Sequence, residues 1–180
     1  MDKSKHLGWI DLEMTGLDAN RDLILEIAAL VTDTELNLVA TGPDLIIHQS
    51  STALDRMIPV VREMHQASGL TAAVLASSIT LAQAEQQVLA FFTKYAVPGT
   101  MPLCGNSIWQ DKIFLINYMP NLINFFHYRT IDVSTIKELV CRWYGVAEFK
   151  KVKQHRALSD IKESVAELKF YKENYFIKKY

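Results

Sequence analysis

The sequence predicts an α/β fold, a mixed β-sheet flanked by α-helices. Three observations lead there. Up to His48 the chain holds apolar runs broken by turn residues, the pattern of consecutive antiparallel strands. From Ser50 onward, apolar residues recur at helical spacing. Between the helical stretches lie two further short runs suited to strands. Strands in succession, then helices with interspersed strands, give a mixed-sheet architecture.

Trp9 to Met14 is apolar apart from two acids and ends at Thr15-Gly16, so it reads as a buried strand entering a turn. Leu17 to Asp22 is a polar loop. Leu23 to Val31 is apolar apart from Glu26 and predicts a second strand. Leu36 to Ala40 and Leu45 to His48 predict a third, interrupted near Gly42-Pro43. Together they read as an antiparallel meander. Ser50, Ser51 or Thr52 is placed to cap a first short helix, and Thr80 with Gln83 fits a capping box. Leu81, Ala84, Val88, Phe91, Phe92 and Tyr95 follow at helical spacing, with Pro98-Gly99 expected to end that helix. Met101 to Gly105 is a short buried strand, Asp111 to Tyr118 a helix stopping at Pro120, and Tyr128 to Val133 another strand. Asp132 or Ser134 caps a helix that runs to near Gly145. The last helix spans Ala157 to Tyr175, with Ile161, Val165, Leu168 and Tyr171 or Tyr175 on its apolar face.

The 180 residues suit one domain with a full-sized core, here taken as residues 7–180 behind a disordered leader of residues 1–6. Hydrophobic residues at 49% and charged residues at 22% fit a soluble globular protein. No apolar run approaches a membrane span, and the first residues lack a signal-peptide core. Cys104 and Cys141 belong to no CxxC pair and read as core thiols of a cytoplasmic protein. A formal net charge of −1 argues against stable binding to long nucleic acid through a broad basic field. It leaves room for a small anionic substrate bound locally through metal ions.

Asp11 and Glu13 form the first chemical signal. Strand period is two, so both carboxylates point to one face. Two acids on a buried face repel one another and are costly unless a cation joins them. The neighbours Ile10, Leu12 and Met14 argue against a plain solvent-facing edge. Asp111 begins a helix after a buried strand, Asp160 sits in the first turn of the last helix, and His155 lies on the loop entering that helix. Taken singly, each has an ordinary reading: Asp111 a first-turn acid, Asp160 a partner of the helix dipole, His155 a loop histidine. Taken together, four carboxylates and a histidine are the parts for two-metal hydrolysis of a phosphodiester. Mg²⁺ or Mn²⁺ prefers oxygen ligands. Two such ions about 3.5–4 Å apart hold the attacking and leaving oxygens. A histidine takes the proton of the attacking water.

Asp11-x-Glu13, Asp111 and His155-x-x-x-x-Asp160 resemble the motifs of the DEDDh 3′→5′ exonucleases, a superfamily with a ribonuclease-H-like fold. Five runs narrow the resemblance to the oligoribonuclease family: Trp9 to Leu17, Cys104 to Ile108, Tyr128-Arg129, Asp132 to Thr135 and Ser164 to Leu168. The similarity extends from about Leu7 to Phe176. It implies a ribonuclease-H-like mixed sheet and a single exonuclease domain over residues 7–180. It also implies two divalent ions, Mg²⁺ or Mn²⁺, on Asp11, Glu13, Asp111 and Asp160, with His155 as general base. The implied substrate is a short oligoribonucleotide, down to a dinucleotide, released as nucleoside 5′-monophosphates. Leu17 would wedge between its bases, His65 would contact it, and Ser107, Arg129 and Ser134 would grip its 5′-phosphate. Tyr128 would reach across from the second subunit of a homodimer. One departure stands out: Val60 occupies a position where the family usually has a tryptophan that stacks on a base, an interaction worth about 1–3 kcal/mol.

Two rival readings remain at the level of sequence. One is a DEDDh nuclease acting on tRNA ends or DNA, against which the near-neutral charge and Tyr128, Arg129 and Ser134 speak. The other is a catalytically silent RNA-binding module, against which all four acids speak. Lys150-Lys151-x-Lys153 reads most simply as a solvated loop, and Phe91, Phe92, Phe125 and Phe126 as core or dimer interface.

Overall fold

A computed structural model describes residues 6–150 and 155–176. Five strands form one mixed sheet: β1 (His6–Met14), β2 (Ile24–Asp33), β3 (Leu38–Ile46), β4 (Pro102–Gly105) and β5 (His127–Asp132). Their order across the sheet is β3-β2-β1-β4-β5. The first three pair antiparallel, as the meander predicts, while β4 joins β1 and β5 joins β4 in parallel. Parallel neighbours require crossovers, and helices supply them.

The helices are α1 (Ser51–Leu54), α2 (Pro59–Ala67), α3 (Leu70–Ala76), α4 (Leu81–Phe92), α5 (Ile108–Tyr118), α6 (Pro120–Phe125), α7 (Val133–Tyr144) and α8 (Ala157–Tyr175). Period-two alternation divides the sheet between two layers. Ile10 and Leu12 of β1, with Ile27, Ala29 and Val31 of β2, pack towards Val88 and Phe92 of α4 and Phe114 and Leu115 of α5. Trp9, Ala28 and Leu30 face the other way, onto Ala157 and Ile161 of α8. Asp11 and Glu13 share the parity of Trp9, so they point to the α8 side. A fully buried Leu, Ile or Phe stabilises the fold by about 1.5–3 kcal/mol. These two layers therefore fix β1 firmly between α5 and α8. Gly8 permits the close approach at its start: a Cβ there would lie 2.5 Å from Met101 Sδ and 2.8 Å from the Phe126 ring.

Most predicted elements are present, with boundary differences that have physical causes. The leader expected over residues 1–6 falls outside the described residues except for His6. That residue is the first of β1, paired with Asp33 and buried, with Nδ1 2.9 Å from the Tyr95 carbonyl. The break expected at Gly42-Pro43 is instead a bulge within β3. Ala28 pairs with Asp44 and Leu30 with Thr41, leaving Gly42 and Pro43 opposite one residue. β3 is an edge strand, where a missing amide is tolerated. Ser50 caps α1, and the Thr80–Gln83 capping box forms as predicted. α4 ends at Phe92, well before Pro98, so Tyr95 lies beyond it. α5 starts three residues before Asp111, because Ser107 turns the chain in the left-handed region at φ 53°. Asp132 rather than Ser134 caps α7, and α8 has the expected bounds. Cys104 and Cys141 are free thiols, and burial pushes the Cys104 pKa up. Among the described residues, no helix is long and apolar enough to cross a membrane.

Candidate active site

The site grows from the end of β1. Asp11 and Glu13 project from it towards α8, and the first turn of α8 brings Asp160 to meet them. One carboxylate oxygen from each of Asp11, Glu13 and Asp160 lies within 4.8 Å of the others. Three oxygens at that spacing match the donor set that hard divalent cations take.

The electrostatics point the same way. Burial pushes the Glu13 carboxyl up to about 8, with further upward contributions from Asp160, Glu26 and Asp111. Glu13 therefore holds its proton at neutral pH unless a cation replaces it. Asp111 approaches from the opposite layer, on α5, and stands outside the 4.8 Å group. Its Oδ1 accepts the Leu12 amide at 2.9 Å, which ties the carboxyl to the backbone between Asp11 and Glu13. Burial pushes its pKa up to about 7, although the bond from Leu12 opposes the rise. Three of the four predicted metal ligands thus form one cluster, and the fourth is anchored to the same strand.

A measurable pH dependence follows. In the unfolded chain the Glu13 carboxyl titrates near about 4.3, and in the folded one near 8. The folded state binds its proton more tightly. The stabilisation is full below pH about 4 and is lost as pH rises through about 8. Asp111 acts in the same direction up to about pH 7. Each tenfold change in proton affinity corresponds to about 1.4 kcal/mol. Metal-free protein is expected to be less stable at pH 8.5 than at pH 5, by on the order of a few kcal/mol, and so to melt at a lower temperature. Mn²⁺ at pH 8.5 should reverse that loss. Thermal melts with and without chelator check it, and a melting temperature that rises towards pH 8.5 without metal contradicts it.

His155 is half-buried on the segment entering α8, in the left-handed region at φ 53°. It lies close enough to His65 to depress that ring's pKa, although burial is the larger cause. His65, on α2, is fully buried. Its Nε2 is 2.9 Å from the Met14 carbonyl and its Nδ1 3.9 Å from Glu13 Oε2. The ring therefore underpins the end of β1, next to Glu13. Val60, on the same helix, is 66% exposed and presents an apolar surface.

The other predicted substrate residues lie in two places. Leu17 is 73% exposed at the tip of the turn after β1. Asp22 braces that turn, accepting from Thr15 Oγ1 at 2.9 Å and from the Asp18 amide at 3.0 Å. From α5, Gln110 donates to the Leu17 carbonyl, Asn117 to that of Ala19 and Tyr118 to that of Asp22, at 2.7–2.9 Å. Ser107 and Ser134 share one acceptor, Asp132 Oδ1. It takes the Ser107 amide at 2.9 Å and the Ser134 amide and hydroxyl at 2.9 and 2.6 Å. Tyr128 is 71% exposed on β5, with the Arg129 guanidinium 5.2 Å from its ring centre. The His127 ring also packs against Tyr128, with centroids 4.4 Å apart.

Sequence reasoning assigned no role to Asp132 beyond capping, to Gln110, or to the pair Glu26 and Arg156. Glu26 did carry a signal: it is the one charge in the apolar run of β2. It is wholly buried and bonded to Arg156.

The mixed five-stranded sheet flanked by helices is of the ribonuclease-H-like class, and the exonuclease family model matches residues 9–168, so the chain is an exonuclease-family protein. The chain is 51% identical over 175 residues to an oligoribonuclease of Pseudomonas syringae pv. tomato, covering 97% of this chain and 98% of the relative. It is 52% identical over 179 residues to the mitochondrial oligoribonuclease of Homo sapiens, covering 98% of this chain and 76% of that one. The chain belongs to the oligoribonuclease family and is a nuclease, a hydrolase of phosphodiester bonds. Among solved structures, exonuclease I from Methylocaldum szegediense superposes with a TM-score of 0.72 at 18% identity. The match covers 95% of this chain and 41% of that one. An E. coli exonuclease I complex with single-stranded DNA gives 0.67. These two share the fold over about two fifths of their length.

Proposed function

We propose that this nuclease is a homodimeric 3′→5′ exoribonuclease that hydrolyses short oligoribonucleotides, down to dinucleotides, to nucleoside 5′-monophosphates. The carboxylate cluster of Asp11, Glu13 and Asp160, in a chain half-identical to oligoribonucleases, carries this reading. With Asp111 these residues would hold two divalent ions, Mg²⁺ or Mn²⁺, which supply Lewis-acid stabilisation of the negative charge on the phosphodiester oxygens. Water attacks the phosphorus of the last linkage while His155 accepts its proton. The bond from phosphorus to the 3′-oxygen of the preceding residue breaks. The departing nucleotide keeps its 5′-phosphate, and the 3′-oxygen left on the preceding residue takes a proton from solvent to become a hydroxyl, while His155 returns its proton to solvent. Leu17, exposed on a braced turn, would separate the two bases. Ser107, Arg129 and Ser134 would hold the 5′-phosphate, and Tyr128 of a second subunit would close the end of the site. The unpaired thiols and the absence of a membrane-crossing helix among the described residues suit a cytoplasmic enzyme.

Initial rates on end-labelled RNAs of graded length, from two residues upward in Mg²⁺, test the reading. The expected result is a maximum at two to a few residues. Rates that rise with length overturn the short-substrate assignment. The cross-subunit cap has its own test: Tyr128→Ala should lower kcat/KM on dinucleotides by about tenfold or more, since a stacked base is worth about 1–3 kcal/mol. Mixing it with Asp11→Ala subunits should restore part of the rate, because one hybrid site then has both an intact cluster and an intact tyrosine. An unchanged rate for Tyr128→Ala, or no recovery on mixing, contradicts the arrangement.

A further inference from the structure

Glu26 stands directly opposite Glu13 in the β1–β2 ladder, on the face that looks towards α8. It is 0% exposed, a costly position for a charge without partners. Its partner is Arg156: Nε lies 3.0 and 3.2 Å from the two carboxylate oxygens, and an Nη 2.8 Å from Oε1. The same carboxylate accepts the Ala157 amide at 3.3 Å. α8 has no side-chain cap from its own N-cap residue, so β2 caps this helix from across the fold. Asp44 of β3 stands beside this pair, its carboxyl pKa pushed up to about 6 by burial and then by Glu26.

Arg156 is the residue immediately after His155. His155 holds a backbone conformation, φ 53°, that is uncommon among non-glycine residues and costs energy unless the surroundings support it. A forked guanidinium–carboxylate pair supplies such support, because it fixes direction as well as distance. Resting on the proposed function, in which His155 is the base, we infer that Glu26 and Arg156 form a positioning clamp that holds His155 at the acidic cluster. The clamp touches no substrate. It acts through His155, whose imidazole must stay within hydrogen-bond reach of the attacking water. Asp160 depends on it less, since Ala157 and Ile161 already bury α8 in the core.

The double variant Glu26→Gln/Arg156→Met removes both charges and the fork while keeping similar volumes, so no buried charge is left alone. It should fold and bind Mn²⁺ by calorimetry as the parent does, with kcat on short RNA 10- to 100-fold lower and KM within about threefold. In a His155→Ala background, the same two substitutions should lower the residual rate less than twofold, since the group they position is gone. An unchanged kcat overturns the inference. So does Mn²⁺ affinity falling in step with kcat, or a tenfold further loss in the His155→Ala background; either shows a general structural effect. If the double variant does not fold, Arg156→Lys, which keeps the charge but not the fork, undergoes the same comparisons. Failure of the underlying reading shows differently: His155→Ala alone would then retain the parent rate, and the clamp would fall with it.

Discussion

Asp160→Ala abolishes hydrolysis of short RNA, lowering kcat by on the order of a thousandfold or more, while the melting temperature stays within about 3 °C of the parent. The asymmetry follows from the cluster. Asp160 brings its carboxylate within 4.8 Å of Asp11 and Glu13 and is one cause of the raised Glu13 pKa. Removing it deletes a proposed cation ligand but also removes like-charge repulsion, so the fold should lose little. Asp11→Ala should behave alike. The measurements are initial rates in saturating Mg²⁺ and a thermal melt in chelator. Full activity from either variant removes the metal-site assignment, and a collapse of the fold would mean that these acids serve structure first.

His155→Ala lowers kcat by about 10²- to 10⁴-fold, the range a positioned general base contributes. KM and calorimetric Mn²⁺ binding should hardly change, because the carboxylate cluster among the described residues is Asp11, Glu13 and Asp160, without the histidine. This separates its role from that of the carboxylates, whose loss removes metal affinity and rate together. A His155→Ala enzyme with the parent rate removes the base assignment, whereas one that loses Mn²⁺ binding makes His155 a ligand.

The strongest sequence signals were those that local chemistry enforces. Asp11 and Glu13 share a face because strand period is two, and nothing tertiary alters that. The Thr80–Gln83 capping box and the bounds of α8 are likewise written in residues a few positions apart. What sequence pattern missed depends on partners far along the chain. Gly42-Pro43 looks like a strand break, yet the edge position of β3 turns it into a bulge. That His65 lies against the end of β1 is likewise invisible in the local pattern, since Met14 is 51 residues away. The single charge in the run of β2 stands out by eye, but its partner Arg156 lies 130 residues away. Asp111 lies in the first turn of α5 rather than at its start. Its turn towards the Leu12 amide instead of the cluster is a matter of three-dimensional approach.

Helix α5 carries Asp111 and also grips the turn of Leu17 through Gln110, Asn117 and Tyr118. The turn and the carboxylate therefore belong to one rigid body, and neither shifts without the other. For protein evolution, this makes the helix a shared inheritance of two traits. A substitution that re-aims the turn to suit a different oligonucleotide also disturbs the anchoring of β1 by Asp111. Variation in what the site accepts should then accumulate on pieces outside α5, such as the exposed start of α2, where Val60 stands.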